Sequence, residues 1–278
     1  MTAALHLGLI GDNIAASRSP RLHRLAGAQN GVEVVYDRLV PRELGENFES
    51  LLAALPDRGY RGTNVTYPYK ERAARRVQID DPLVRAIGAV NTVIFGPGGP
   101  RGFNTDHSGF IAAYRQVRGQ AAPGPTLMIG TGGVGRAVAF GLIALGAPAL
   151  RLADRDRAKA ESLAADLRAA RPGLAVSVHD DPVIGAQGAS GLVNCTPLGM
   201  VGHPGTPLPK AAMTGADWAF DAVYTPADTQ FLQDAAAAGL AIISGWELFF
   251  FQGVHAWTLF SNLSLRADDL RRDLLTEG

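Results

Sequence analysis

Four groups of residues in this chain have the types and spacing that chemistry requires. Ser17 and Ser19 are separated by one residue in SRSP, at the start of a predicted helix. Two hydroxyls so placed can each donate a hydrogen bond to a carboxylate, helped by the positive end of the helix. Simple N-capping by Ser19 would use the same residue type. Asn64 and Thr66 alternate along NVTYPYK, so they share one face of an emerging strand. Lys70 follows Pro68 where a helix begins. Asn91 in AVNT and Asn104 in GFNTD end apolar strands, and Asp106 is the natural partner of Lys70. A Lys–Asp pair in a cleft can hold an ammonium beside a reacting oxygen and pass it a proton. Turn, cap and surface-lysine roles are the plainer alternatives for these residues.

The fourth group is GTGGVGRA, in which Gly130, Gly132 and Gly135 have the G-x-G-x-x-G spacing. The spacing alone is weak in a chain with 33 glycines. Its context is stronger, because it follows the apolar run Thr126 to Ile129, opens an apolar helix, and leads to a second strand that ends at Asp154. Gly130 permits a tight turn, Gly132 a close approach to a pyrophosphate, and Gly135 close packing of helix on sheet. The stretch Gly130, Thr131, Gly132, Gly133, Val134, Gly135 is thus the expected phosphate-facing turn, with free N–H groups and a helix dipole behind it. Asp154 stands where an acidic side chain accepts from the adenosine ribose. Arg155 next to it could hold a 2′-phosphate, but Asp156 restores negative charge. This pattern favours NAD over NADP. Asp156 also fits the cap of the following helix.

The elements that must position these groups alternate between strand-like and helix-like patterns, which predicts an α/β protein. Strands are expected at His6–Ile10, Val32–Leu39, Tyr60–Thr66 and Ala89–Phe95. A second series is expected at Thr126–Ile129, Ala149–Ala153, Leu174–Val178, Gly191–Asn194, Trp218–Val223 and Leu240–Ile243. Leu44–Leu55, Val134–Leu145, Arg157–Ala170 and most of Glu247–Leu275 read as helical. Gly96–Gly99 and Ala121–Pro125 look loop-like, the second a plausible hinge.

Composition narrows the function. The 278 residues can form two ordinary domains. Basic and acidic side chains balance at 26 each, which argues against nucleic acid as the main partner. Cys195 is the only cysteine, so an internal disulfide framework and a multi-cysteine zinc site are excluded. The six histidines show no metal spacing, and no metal is expected. No apolar run approaches the ~20 residues of a membrane span, and the N-terminus reads as a strand and not a signal peptide. A cytoplasmic protein with no membrane partner is the expectation.

Taken together and in order, SRSP, GTNVTYPYK, GAVNTV, GFNTD, GTGGVGRA, NCTPLGM, DAVYTP and the late Gln252 resemble the shikimate dehydrogenase family, nearest its NAD-dependent quinate/shikimate branch. The resemblance runs from residue 17 to residue 252. It implies an N-terminal α/β substrate domain (1–105 with 245–278) and a Rossmann-like, doubly wound cofactor domain (106–244). It implies that Ser17 and Ser19 hold a substrate carboxylate, and that Asn64, Thr66, Asn91, Asp106 and Gln252 hold ring hydroxyls. Lys70 and Asp106 would be the catalytic pair. Thr196, Met200, Val223, Tyr224 and Gly245 would line the nicotinamide end, Tyr224 beside the substrate. The implied reaction interconverts shikimate and 3-dehydroshikimate, or quinate and 3-dehydroquinate, by a monomer or homodimer.

The chain also departs from the family. Asp154-Arg155-Asp156 stands where many members have Asn-Arg-Thr, a signature of NADP use. Ser19 leans towards shikimate, since some quinate users have threonine there. SGWELFFFQ (244–252) carries Trp246 and three phenylalanines where small residues and a methionine are common, and Cys195 replaces an alanine. Two competing readings remain. One is an enzyme for another hydroxylated ring acid, such as an aminoshikimate. The other is a non-catalytic NAD-binding or regulatory protein. A methylene-tetrahydrofolate dehydrogenase-like plan explains neither SRSP nor NVTYPYK.

Overall fold

A computed structural model describes residues 4–276. Their contacts divide the chain into two compact units, one running to Thr105 and resuming at Gln252, the other Asp106–Phe251.

The first unit contains β1 (Leu5–Ile10), α1 (Ser19–Gln29), β2 (Val34–Leu39), α2 (Phe48–Ala54), β3 (Gly62–Val65), α3 (Lys70–Ala74), α4 (Pro82–Ile87), β4 (Thr92–Gly96) and β5 (Gly99–Phe103). Its five-stranded sheet has the order β2-β1-β3-β4-β5. β1 runs parallel to both neighbours, whereas β3, β4 and β5 pair antiparallel. The pleat of β1 sends alternate side chains to opposite cores. Leu7 and Leu9 pack with Tyr36, Ala256 and Phe260, while Ile10 joins Phe48, Leu51, Leu55 and Val65. Full burial of each such side chain contributes about 2 kcal/mol.

The second unit continues with α5 (Thr105–Arg118), β6 (Thr126–Ile129), α6 (Gly133–Ala144), β7 (Ala149–Ala153), α7 (Arg157–Ala170), β8 (Ala175–Val178), α8 (Pro182–Ala186), β9 (Gly191–Asn194), β10 (Trp218–Asp221), α9 (Gln230–Ala237), β11 (Ala241–Ile243) and α10 (Gly245–Ser261). The end of α10, from Gln252, and α11 (Ala267–Leu275) belong to the first unit. The second sheet has the order β11-β10-β9-β6-β7-β8, and every pair in it is parallel. The chain therefore winds outward from β6 to β8, returns, and winds the other way from β9 to β11. This is the doubly wound α/β plan, with its switch point between β6 and β9. β6, β9 and β10 are buried throughout, as strands covered on both faces must be.

Some expectations need correction. Gly96–Gly99 is not merely a loop: it is the tip of the β4–β5 hairpin, with Gly96 paired to Gly99. Gly102 of β5 lies where Val77 and Val90 leave no room for a side chain. The helix expected from Leu44 starts only at Phe48, where Asn47 accepts from Ser50 N at 2.9 Å. Ala121–Pro125 is no hinge between units. It lies inside the second, where Pro123 O accepts from Trp218 Nε1 at 2.9 Å and Pro125 O from Ser190 N at 2.7 Å.

Candidate functional site

In the first unit the polar residues lie in the chain that follows β1, at the end of β3 and just before β4. Ser17 Oγ lies 3.2 Å from Ser19 Oγ, both side chains being buried. Ser19 is the first residue of α1 and does not cap it; Ser17 Oγ accepts from Ser19 N at 3.3 Å instead. Arg38 Nη2 donates to Ser17 O at 2.8 Å and anchors this turn to β2.

Asn64 and Asn91 are joined by one network. Asn64 Nδ2 donates to Thr92 Oγ1 at 3.1 Å and to Asn91 O at 3.3 Å. Its Oδ1 accepts from Tyr36 OH at 2.8 Å. Asn91 Oδ1 accepts from Thr105 N at 2.7 Å, and its Nδ2 donates to Thr105 Oγ1 at 2.9 Å. Asn91 thereby satisfies a free N–H at the start of the helix that carries Asp106. Asn104 turns inward to Ala89 O at 2.9 Å and serves the fold.

Tyr36 and His23 also belong to this network, and neither is marked by a motif. His23 stacks on Tyr36 with ring centroids 5.0 Å apart and hydrogen-bonds the Asn64 side chain. Burial lowers its pKa to about 3, so it is a neutral support and not an acid–base group.

Thr66 N is held by Ile10 O at 2.9 Å, and Tyr69 N by Thr66 O at 2.9 Å, which fixes the turn leading to Lys70. Lys70 is half-buried, and its carbonyl accepts from Val90 N at 2.9 Å. Asp106 is buried in the first turn of α5. Gln252 falls in the first unit and Tyr224 in the second.

In the second unit the glycine turn lies at the switch point. Gly130 follows β6 with φ of +95°, a conformation that disfavours any side chain. A Cβ on Gly135 would lie 2.2 Å from Gly130 O, so the start of α6 rests directly on the turn. Gly132 caps α6, and open space lies where its Cβ would be. The turn thus has a closed side towards the sheet and an open side at Gly132, where α6 begins, which fits a pyrophosphate at a helix N-terminus. Asp154 Oδ2 accepts from Thr131 N at 2.7 Å and Thr131 Oγ1 at 2.8 Å, and its Oδ1 accepts from Asp156 N at 2.9 Å. Asp156 caps α7, as expected. Arg155 is exposed. Replacing Gly135 with alanine should push α6 off β6, lower Tm and abolish NADH binding; melting and an NADH titration check both.

Thr196 and Met200 lie in the segment after β9, and Val223 and Tyr224 in the segment after β10. Tyr224 stacks on Phe249 at 4.9 Å between ring centroids, and Trp246 lies 5.4 Å from Phe249. Part of the unusual aromatic content of 244–252 thus packs around Tyr224. Cys195 is buried beside the turn and carries a reduced thiol. Among the described residues no three His, Cys, Asp or Glu side chains cluster as a metal site, and no helix is long and apolar enough to cross a membrane.

Comparison with known proteins agrees with both halves. Residues 9–93 match the shikimate dehydrogenase substrate binding domain family. A quinate/shikimate dehydrogenase (NAD(+)) from Corynebacterium efficiens is 36% identical, covering 97% of each chain. Quinate dehydrogenase from Corynebacterium glutamicum, solved in complex with NAD, superposes with a TM-score of 0.89 at 34% identity, covering 98% of this chain and 99% of that one. Shikimate 5-dehydrogenase from Thermus thermophilus, solved with NADP(H) and shikimate, gives a TM-score of 0.83 at 33% identity, covering 98% and 100%. With full-length identity above a third, the same two-unit plan and a glycine turn at the switch point, the chain belongs to the shikimate dehydrogenase family and is an NAD(P)-linked oxidoreductase acting on a CH–OH group.

Proposed function

We propose that this enzyme interconverts shikimate and 3-dehydroshikimate, with quinate and 3-dehydroquinate as a second pair, and uses NAD in preference to NADP. The buried Ser17–Ser19 hydroxyl pair carries the substrate half of this reading: two donors 3.2 Å apart at a helix start suit a ring carboxylate. Asp154 carries the cofactor half. Its carboxylate, held by Thr131, offers acceptors to ribose hydroxyls and repels a 2′-phosphate.

Each residue then has a role. Ser17 and Ser19 bind the carboxylate. Thr66, Asn91, Asp106 and Gln252 bind ring hydroxyls. Asn64 and Asn91 are each engaged through both amide atoms, so a hydroxyl would have to share an atom with those bonds. In reduction, Lys70 donates a proton to the oxygen that becomes the alcohol, and in oxidation it removes that proton. Asp106 orients Lys70. Gly130, Thr131, Gly132, Gly133, Val134 and Gly135 hold the pyrophosphate, and Asp154 and Arg155 the adenosine ribose. Thr196, Met200, Val223 and Gly245 border the nicotinamide, and Tyr224 is a substrate-binding residue. When bound, the cofactor supplies or accepts hydride at nicotinamide C4.

The test is a grid of shikimate, quinate and an aminoshikimate, each with NAD and NADP. The expected result is turnover of shikimate with NAD, and a smaller rate with quinate. The Trp246–Phe249–Tyr224 stack supports one second reading, a differently shaped ring acid. Turnover of the aminoshikimate alone would favour it. NADH binding with no turnover of any of the three would point to a non-catalytic protein.

A further inference from the structure

We infer that Asp221 is a positioning residue for the nicotinamide end of the cofactor site, its buried carboxylate holding the segments after β9 and β10 in register with the glycine turn. This rests on the proposal above that those segments border the nicotinamide.

Asp221 and Asn194 end neighbouring parallel strands and are register partners. Both are fully buried, so neither reaches a ligand. Asp221 Oδ1 accepts from Asn194 Nδ2 at 2.9 Å and from Val223 N at 2.9 Å, and Oδ2 accepts from Thr229 Oγ1 at 2.6 Å. A carboxylate only accepts, so it dictates which way the Asn194 amide faces. With Nδ2 turned to Asp221 and to Leu198 O at 3.1 Å, Oδ1 must face Thr196. There it accepts from Thr196 N at 2.9 Å and Thr196 Oγ1 at 2.7 Å. Thr196 Oγ1 in turn accepts from Leu198 N at 3.1 Å. One acceptor thus sets the course of the chain from Thr196 to Leu198.

That chain rests on the cofactor turn. A Cβ on Gly130 would lie 2.6 Å from Cys195 C and 2.8 Å from Thr196 N, so a shift of the segment is a shift against Gly130. The second branch is equally tight. Val223 N is bound to Asp221, and Val223 O would lie 2.3 Å from a Cβ on Gly245. Burial raises the Asp221 carboxyl to about 6 although its three partners all lower it. A buried carboxylate is costly to the fold, and a fixed amide orientation is a reason to keep it.

The experiment compares Asp221→Ala, Asp221→Asn and Thr229→Val with the wild type. NADH binding is read by fluorescence titration, kcat and KM for NAD and shikimate by steady-state assay, and folding by circular dichroism and melting. Asp221→Ala strands three buried donors and should raise the NADH Kd about tenfold or more. KM for shikimate should change less than about twofold, because that site lies on other elements. Asp221→Asn keeps an oxygen for Asn194 and Val223, and should recover NADH binding to within about threefold of wild type. Thr229→Val removes the bond to Asp221 and the α9 cap to Leu232 N, and should weaken NADH about threefold in a folded protein, so it decides the matter if Asp221→Ala does not fold. Folded variants that melt lower yet bind NADH like the wild type would overturn the inference while leaving the cofactor reading intact. A wild type that binds neither NADH nor NADPH would overturn that reading, and this inference with it.

Discussion

Lys70→Ala should lower kcat for shikimate oxidation about a thousandfold while changing the shikimate KM less than about threefold. The reason lies in what the substitution leaves in place. The Lys70 carbonyl, not its side chain, is the acceptor for Val90 N, and Thr66 O fixes the preceding turn through Tyr69 N. Alanine at the first position of α3 therefore keeps the backbone and removes only the group proposed to move the proton. The Ser17–Ser19 pair and the Asn91 network do not depend on the lysine for any of their described bonds, so ground-state binding should survive. Steady-state kinetics with NAD, together with an NADH titration to show an intact cofactor site, separate the two effects. An unchanged kcat would remove Lys70 from the chemistry. A large rise in KM at constant kcat would make it a binding residue.

How much of this was legible beforehand depended on whether a feature is local. The turn from Gly130 to Gly135 could be read because its strand, glycines and helix are adjacent in the chain, and the packing of Gly135 on Gly130 O is the reason for that spacing. SRSP marks the start of α1 in the sequence, but not the detail that Ser17 bonds Ser19 N. The β5 strand is not legible in the sequence because GPRGF has almost no strand propensity of its own; its pairing with β4 and the crowding at Gly102 place it. Asn194 and Asp221 lie in the motifs NCTPLGM and DAVYTP, yet their bond joins residues 27 apart and exists only because β9 and β10 are neighbours in a particular register. Tyr36 and His23 were invisible for the same reason. They act from beneath the site, through Asn64, and their side-chain types gave no sign of which strand they would meet.

Asp154→Asn should reverse the cofactor preference. NAD kcat/KM is expected to fall about thirtyfold, and NADP kcat/KM to rise about tenfold. Asparagine keeps an oxygen that can accept from Thr131 N, so the glycine turn retains its tie to the end of β7. What is lost is the negative charge proposed to repel a 2′-phosphate and to strengthen the bonds to ribose hydroxyls. Arg155 decides how far NADP gains. It makes no side-chain hydrogen bond or ion pair among the described residues, whereas Arg157 is already paired with Glu161 and Asp180. Asp156 is committed to the α7 cap, where its Oδ1 accepts from Lys159 N at 3.3 Å, so it counters Arg155 less than a free carboxylate would. With Asp154 neutral, Arg155 becomes the nearest uncompensated charge to a 2′-phosphate, and the double substitution Asp154→Asn with Arg155→Ala should lose the NADP gain without restoring NAD. Measuring kcat/KM for both cofactors at saturating shikimate, in all three proteins, tests this. If Asp154→Asn keeps the wild-type ratio, selectivity resides elsewhere in the turn. If the double variant keeps the NADP gain, Arg155 has no part in it and the relief of repulsion alone accounts for the change.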